Sequence, residues 1–293
     1  MTTFPRKTLA TVSAIVFFGT IYSVLNSTFL DTSNPLLTHL PHPLHHTHYW
    51  ASKTNWLNVL FTKKLWGWTT ATFLASYFTS PPSARTKRRM FAFLIETGMW
   101  LLFTGWFFGP SLLERVTAST GGECVLNLPS GAVVTVPSDY CFTKSTISPV
   151  THPGLFSASL ALPESTWKQV PRLRRGHDVS GHLFLLTMSI LFLSEQLQYS
   201  FTREVATWPQ YHKWAVVANF VVLAAALFAT YTTSIYFHTP FEKFTGFREL
   251  NYQHARRNGL IEYLRFLVLG VAGYAVTRLP IFRGASAATP IRS

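Results

Sequence analysis

Long apolar runs alternate with short polar links along this chain, and the runs are long enough to decide its architecture. A helix needs about 20 predominantly apolar residues to cross a bilayer. Runs of that kind fall at Thr8–Leu30, Trp56–Phe78, Met90–Leu113, Gly181–Tyr199, Trp214–Phe237 and Leu260–Leu279. They predict an all-α integral membrane protein, a single polytopic domain over residues 1–293 with about six transmembrane helices. Arg6 and Lys7 precede the first run and no small-x-small cleavage site follows it, so it reads as a retained helix rather than a signal peptide.

The polar links set an orientation. Ser80–Arg89 is short and carries Arg85, Lys87, Arg88 and Arg89, which places it, and both termini, in the cytosol. Residues 116–180 then form a long lumenal loop containing apolar stretches at Cys124–Leu128 and Ala132–Val136, a weak strand-pair pattern. The loop also holds Cys124 and Cys141, which either pair in the oxidising lumen or stand as two thiols. Many basic residues fall on the lumenal side too. They read as a surface that attracts a polyanion, although an inverted topology accounts for the same total. The loop of His42, His45, His46 and His48 reads as solvated, because its spacing offers no metal geometry.

Composition agrees with a membrane protein. Only 13% of the 293 residues are charged, against about a quarter in a soluble domain, and 48% are hydrophobic. The net charge of +13 lies in clusters between apolar runs, which favours anionic head-groups over nucleic acid.

One stretch carries candidate chemistry. In Arg172–Gln196 a basic cluster (Arg172, Arg174, Arg175) precedes Gly176-His177-Asp178-Val179-Ser180-Gly181-His182 and then an apolar helix. Ser180 is a good N-cap, and a helix opening there presents unpaired N–H groups and a positive dipole end to an anion. The competing reading is an ordinary polar helix entrance at the membrane surface. Tracing the crossings brings His182, at the start of the fourth, to the membrane depth of His238, at the end of the fifth. Lys63, Arg115 and Arg175 fall near the same face. Asp178 lies four residues before His182 and Glu242 four after His238, each placed to orient an imidazole unless it is a plain loop charge. Lys63 and Lys64 lie inside the second crossing, where they either snorkel or line a polar cavity. His177 with His182 makes a poor metal pair, since a spacing of five puts them on different helix faces.

The residues also resemble a known family. GHDVSGHLFLLT, the run Asn55–Trp68 (NWLNVLFTKKLWGW), the turn Gly121-Gly122-Glu123-Cys124 and YFHTPFEK resemble the fat storage-inducing transmembrane proteins of the endoplasmic reticulum. That family is in turn similar to lipid phosphate phosphatases, which implies a lipid phosphate phosphatase-like bundle. Ser180-Gly181-His182 matches their Ser-Gly-His element, and His238 with Glu242 matches their second histidine, with Glu for Asp. Their Ser-Arg pair is absent, since Tyr231 and Thr232 stand in its place. Lys168 and Arg175 keep a Lys-x6-Arg spacing, but Gly176 replaces the proline.

The resemblance implies a fatty acyl-coenzyme A diphosphatase that yields acyl-4′-phosphopantetheine and adenosine 3′,5′-bisphosphate, serving lipid homeostasis, phospholipid synthesis and lipid-droplet formation. In it His182 and His238 are catalytic and Asp178 and Glu242 orient them. Ser180, Gly181, Lys63, Arg115 and Arg175 are phosphate-binding candidates, and neither metal nor other cofactor is required. Two other readings remain: a non-enzymatic binder of diacylglycerol or triacylglycerol, and a haem protein with both histidines as axial ligands.

Overall fold

Among the described residues, helices form in the apolar runs, and two short ones form in or beside the polar loop that follows the third run. In the computed structural model they are Thr3–Leu25 (α1), Leu65–Thr79 (α2), Lys87–Thr104 (α3), Leu112–Ser119 (α4), Ser138–Phe142 (α5), Gly181–Gln198 (α6) and Gln210–Tyr236 (α7). Residues 240–245 begin a further helical segment. The structure describes residues 3–30, 41–105, 110–156, 166–174, 176–177, 180–201 and 205–245, all within the compact unit Met1–Arg248. The crossing expected at 260–279 lies outside the described residues, as do Arg175 and Asp178.

The centre of the bundle is α6, where fourteen side chains from Leu183 to Leu197 are buried on all sides of the helix. A helix apolar all round belongs inside a bundle. Around it pack α7, α1, α2 and α3. The outer helices turn large apolar side chains outward, among them Phe17, Phe18, Phe91, Leu94, Trp214 and Val221. Contiguous exposed apolar surface of this kind faces lipid rather than water. Among the described residues two helices, Lys7–Leu25 and Gln210–Tyr236, are each long and apolar enough to cross a bilayer by themselves.

Close approach is arranged locally. A Cβ at Gly19 would lie 2.7 Å from Ser234 Cβ, so α1 can rest against α7 only through a glycine. At the opposite end from the histidines, buried Arg89 donates to Gln196 Oε1 (2.9 Å) and the Ala84 carbonyl (3.0 Å), and its guanidinium lies 4.7 Å from the Tyr199 ring centroid. These contacts offset part of the cost of burying the charge, although Nη2 of the same guanidinium has no hydrogen-bond partner among the described residues.

Three expectations need correction. First, the chain is not all-α. Glu123–Asn127 (β1), Val133–Val136 (β2) and Arg172–Arg174 (β3) form an antiparallel sheet in the order β2-β1-β3. The β-branched run of β2 pairs with β1 in the register Cys124↔Val136, across a turn where Gly131 takes φ +83°. Cys124 and Cys141 are disulfide-bonded inside this small core, beside Leu126, Val136, Ile147 and Phe156. Second, residues 90–113 are not one helix: α3 stops at Gly105, and a Ser111–Glu114 capping box opens α4 afresh. Third, residues 56–78 form a broken helix. A π-turn over Leu57–Phe61 and a 3₁₀ turn over Thr62–Lys64 precede α2. Thr62 Oγ1 donates to the Leu57 carbonyl (2.9 Å) and Trp68 Nε1 to the Leu60 carbonyl (3.0 Å), so side chains satisfy the irregular stretch.

Candidate active site

The placement of His238 starts with the end of α7. The last four carbonyls of a helix have no partner within it. Here each finds one: Thr233 O accepts from Phe237 N (3.1 Å), Ser234 O from Lys243 Nζ (2.7 Å), Ile235 O from Thr28 Oγ1 (2.9 Å), and Tyr236 O from Leu30 N (3.1 Å). Tyr236 O also accepts from His42 Nε2 at 2.9 Å. His42 Nδ1 accepts from Leu44 N at 3.0 Å, so Nε2 carries the proton and reaches the Thr28 carbonyl as well, at 3.1 Å. His42, expected in a solvated loop, is therefore a buried clamp on the helix end, only 2% exposed. Burial holds its basicity below the usual histidine value, against the opposing pull of its bonds to Tyr236 and Thr28.

Beyond this clamped end His238 adopts φ +62°, a left-handed conformation that histidine tolerates better than most residues but at some cost. Thr239 then N-caps the next helical segment, with Pro240 in its first turn. Glu242 Oε2 accepts from Thr239 N (2.9 Å), and Glu242 N donates to Thr239 Oγ1 (3.4 Å). The same Glu242 oxygen is 3.6 Å from His238 Nδ1, an ion-pair distance but too long for a hydrogen bond. Glu242 thus serves as a capping residue first, with its charge beside the imidazole. Its neighbour Lys243 is fully buried and also donates to Ser23 Oγ (2.9 Å), which fastens the segment to α1. Burial pushes the Lys243 ammonium down to about 8, with Glu242 pulling the other way.

His182 comes from the start of α6. Ser180 Oγ accepts from Leu183 N (3.3 Å) as the expected N-cap, and Ser180 N donates to the Glu242 carbonyl (3.3 Å). The two histidine segments are thus joined through the backbone. Their ring centroids lie 6.3 Å apart. Below them the tightness of the loop explains Gly176: an added Cβ there would overlap the Thr117 carbonyl.

Both rings line one cavity of about 200 Å³. Lys63 reaches it from the irregular turn of the broken helix, so Lys63 lines a cavity rather than serving only as a snorkelling residue; Lys64 is exposed. Lys53, Asn55, Asn58 and Arg174 complete its polar wall, while Leu30, Leu57 and Phe237 give an apolar side. Burial lowers Lys53 below the usual ammonium range, and Arg174 and Arg172 lower it further. Arg115 does not belong to this wall; it sits on α4 and donates to the Pro110 carbonyl at 2.9 Å. Arg174 belongs to the basic cluster that the sequence singled out, whereas Lys53, Asn55 and Asn58 were not singled out as site residues. Lys53 was visible only as part of a basic total, and the asparagines only as part of a motif.

A mostly helical membrane protein with paired histidines in a basic pocket is the class that fold and site define. The chain belongs to the fat storage-inducing transmembrane protein family, whose model matches residues 46–218. That span includes His182 and the broken helix and ends before His238. Among curated proteins the chain is similar to acyl-coenzyme A diphosphatase fit1 of Schizosaccharomyces pombe, 29% identical over 202 residues, 69% of each chain. It is similar to acyl-coenzyme A diphosphatase FITM2 of Xenopus tropicalis, 27% identical over 208 residues, covering 68% of this chain and 66% of that one. The human FITM2 is 24% identical over 208 residues, covering 68% and 67%. The chain thus aligns with about two thirds of each relative. No solved structure shows significant similarity to it.

Proposed function

We propose that the chain is a fatty acyl-coenzyme A diphosphatase, a hydrolase of a phosphoric anhydride. The observation that carries this is the meeting of His182 and His238 in one cavity with Lys63. The names of the relatives supply the substrate class. His238, with Nδ1 toward Glu242, presents Nε2 to one phosphorus of the diphosphate. The N–P bond forms as the bridging P–O bond breaks. His182 gives a proton to the departing phosphate and then takes one from the water that cleaves the N–P bond. The products are acyl-4′-phosphopantetheine and adenosine 3′,5′-bisphosphate. Lys63 and the first backbone N–H groups of α6, that of Gly181 among them, bear the developing charge. Asp178 as the orienting carboxylate of His182 and Arg175 as a phosphate contact are proposed from their places in the sequence.

The protein is placed in the endoplasmic reticulum membrane, with six crossings in a phosphatase-like bundle, cytosolic termini and a lumenal site. The disulfide flanking the site supports the lumenal placement, since such bonds persist in oxidising compartments. The outward apolar surface supports contact with membrane lipid, diacylglycerol and triacylglycerol among them. Mass spectrometry of the products from oleoyl-CoA tests the activity: wild type releases both products, and His182→Ala and His238→Ala release neither. Full cleavage by either variant would refute the assignment.

A further inference from the structure

The histidine cavity accounts for a diphosphate and leaves a larger neighbouring cavity without a role. This second cavity encloses about 430 Å³, within the size range of small-molecule sites, and β3 forms one wall. Side chains alternate across a strand. Leu173 packs against the disulfide core, so Arg172 and Arg174 fall on the opposite face. Both line the second cavity, whose wall also takes in Leu173, Cys141 and the Lys144–Glu114 pair (4.0 Å), and Arg174 lines the histidine cavity as well. Lys53, in the wall of the histidine cavity, is close enough to feel both arginines. A row of cations therefore leads from the histidines into the second cavity. Arg172 and Arg174 stand about 6.6 Å apart along the strand, at ~3.3 Å per residue. That spacing suits phosphates on the 5′ and 3′ carbons of one ribose, and arginine forks are matched to phosphate oxygens.

We propose that this second cavity seats the 3′-phosphorylated adenosine end of coenzyme A, with Arg172 reading the 3′-phosphate and Arg174 at the junction with the diphosphate. The proposal rests on the diphosphatase reading. It gives the protein a means of choosing coenzyme A thioesters over other lipid-linked diphosphates, because only the former bring a phosphomonoester one ribose away.

The test compares oleoyl-CoA with 3′-dephospho-oleoyl-CoA as substrates of the full-length protein, wild type and Arg172→Gln. The side chain of Arg172 is exposed, so the substitution spares the core. Wild type favours oleoyl-CoA through KM by about tenfold, the scale of one charge-assisted contact. Arg172→Gln raises KM for oleoyl-CoA by a similar factor, leaves kcat unchanged, and leaves the dephospho substrate within about twofold of wild type. Equal use of the two substrates by wild type, or an equal loss on both in the variant, overturns the proposal while leaving the diphosphatase reading intact. Cleavage of neither substrate by wild type overturns both.

Discussion

Substitution of His42 by alanine removes the clamp on the end of α7. Three hydrogen bonds are lost: Nε2 to the carbonyls of Tyr236 and Thr28, and Leu44 N to Nδ1. Each contributes on the order of 1 kcal/mol net, and a buried group left without a partner costs more. Tyr236 O keeps its bond from Leu30 N at 3.1 Å, which limits the damage. The sum is roughly 2–3 kcal/mol. For a chain of this size about 1 kcal/mol moves the melting midpoint by roughly 2–4 °C, so the variant should melt about 5–10 °C lower. Intrinsic fluorescence of detergent-solubilised protein during heating reads this directly. Because the clamp ends two residues before His238, kcat should fall as well, with KM for oleoyl-CoA little changed. A variant that melts with wild type would refute the reasoning, since it would show that the loop does not hold the helix end.

The same residue carries a pH dependence. Burial keeps native His42 below its unfolded value of 6.5, so its contribution is complete above that pH. It declines as pH falls below 6.5, where only the unfolded chain takes the proton; the melting gap between wild type and His42→Ala should narrow there. Gly19→Ala places a methyl 2.7 Å from Ser234 Cβ and should destabilise by about 1–3 kcal/mol, whereas Gly67→Ala, with nothing within 4 Å, should not; equal melting would refute the close approach. Cys124→Ser with Cys141→Ser opens a loop of sequence separation 17 and should cost about 3 kcal/mol, read in the same melts; an unshifted midpoint would deny the disulfide a role. Glu242→Gln keeps an acceptor for Thr239 N but removes the charge beside His238. It should lower kcat by about tenfold with a melting midpoint close to wild type.

Much of the bundle was legible because lipid imposes a simple rule on sequence. Apolar runs of crossing length have few alternatives, and Ser180 announced the start of α6 through its side-chain oxygen. Breaks inside the runs were not legible. The π-turn at Leu57–Phe61 and the stop at Gly105 leave hydropathy unchanged, because they redirect the backbone without altering which side chains are apolar. The strands were faint because a short sheet around a disulfide has only one narrow buried face. The meeting of His182 and His238 followed from counting crossings and needed no contact information. The cationic wall did need it: Lys53 and Arg174 arrive from a loop and a strand far apart in the chain, and only the fold brings them to one cavity. Thr239-x-x-Glu242 has the spacing of a capping box, and the four-residue step from His238 to Glu242 lies within the same stretch, so one carboxylate fits two patterns at once.

The backbone at residue 238 imposes a demand separate from the imidazole. In a library of all amino acids at this position, asparagine and glycine should fold best, because they accept φ +62° most readily. Valine and isoleucine should fail before any assay of turnover. Asparagine is therefore the cleanest inactive replacement, whereas alanine removes the ring and strains the hinge together. A survey that scored only surviving activity would count the β-branched failures as catalytic, when their defect lies in the handedness of a single residue.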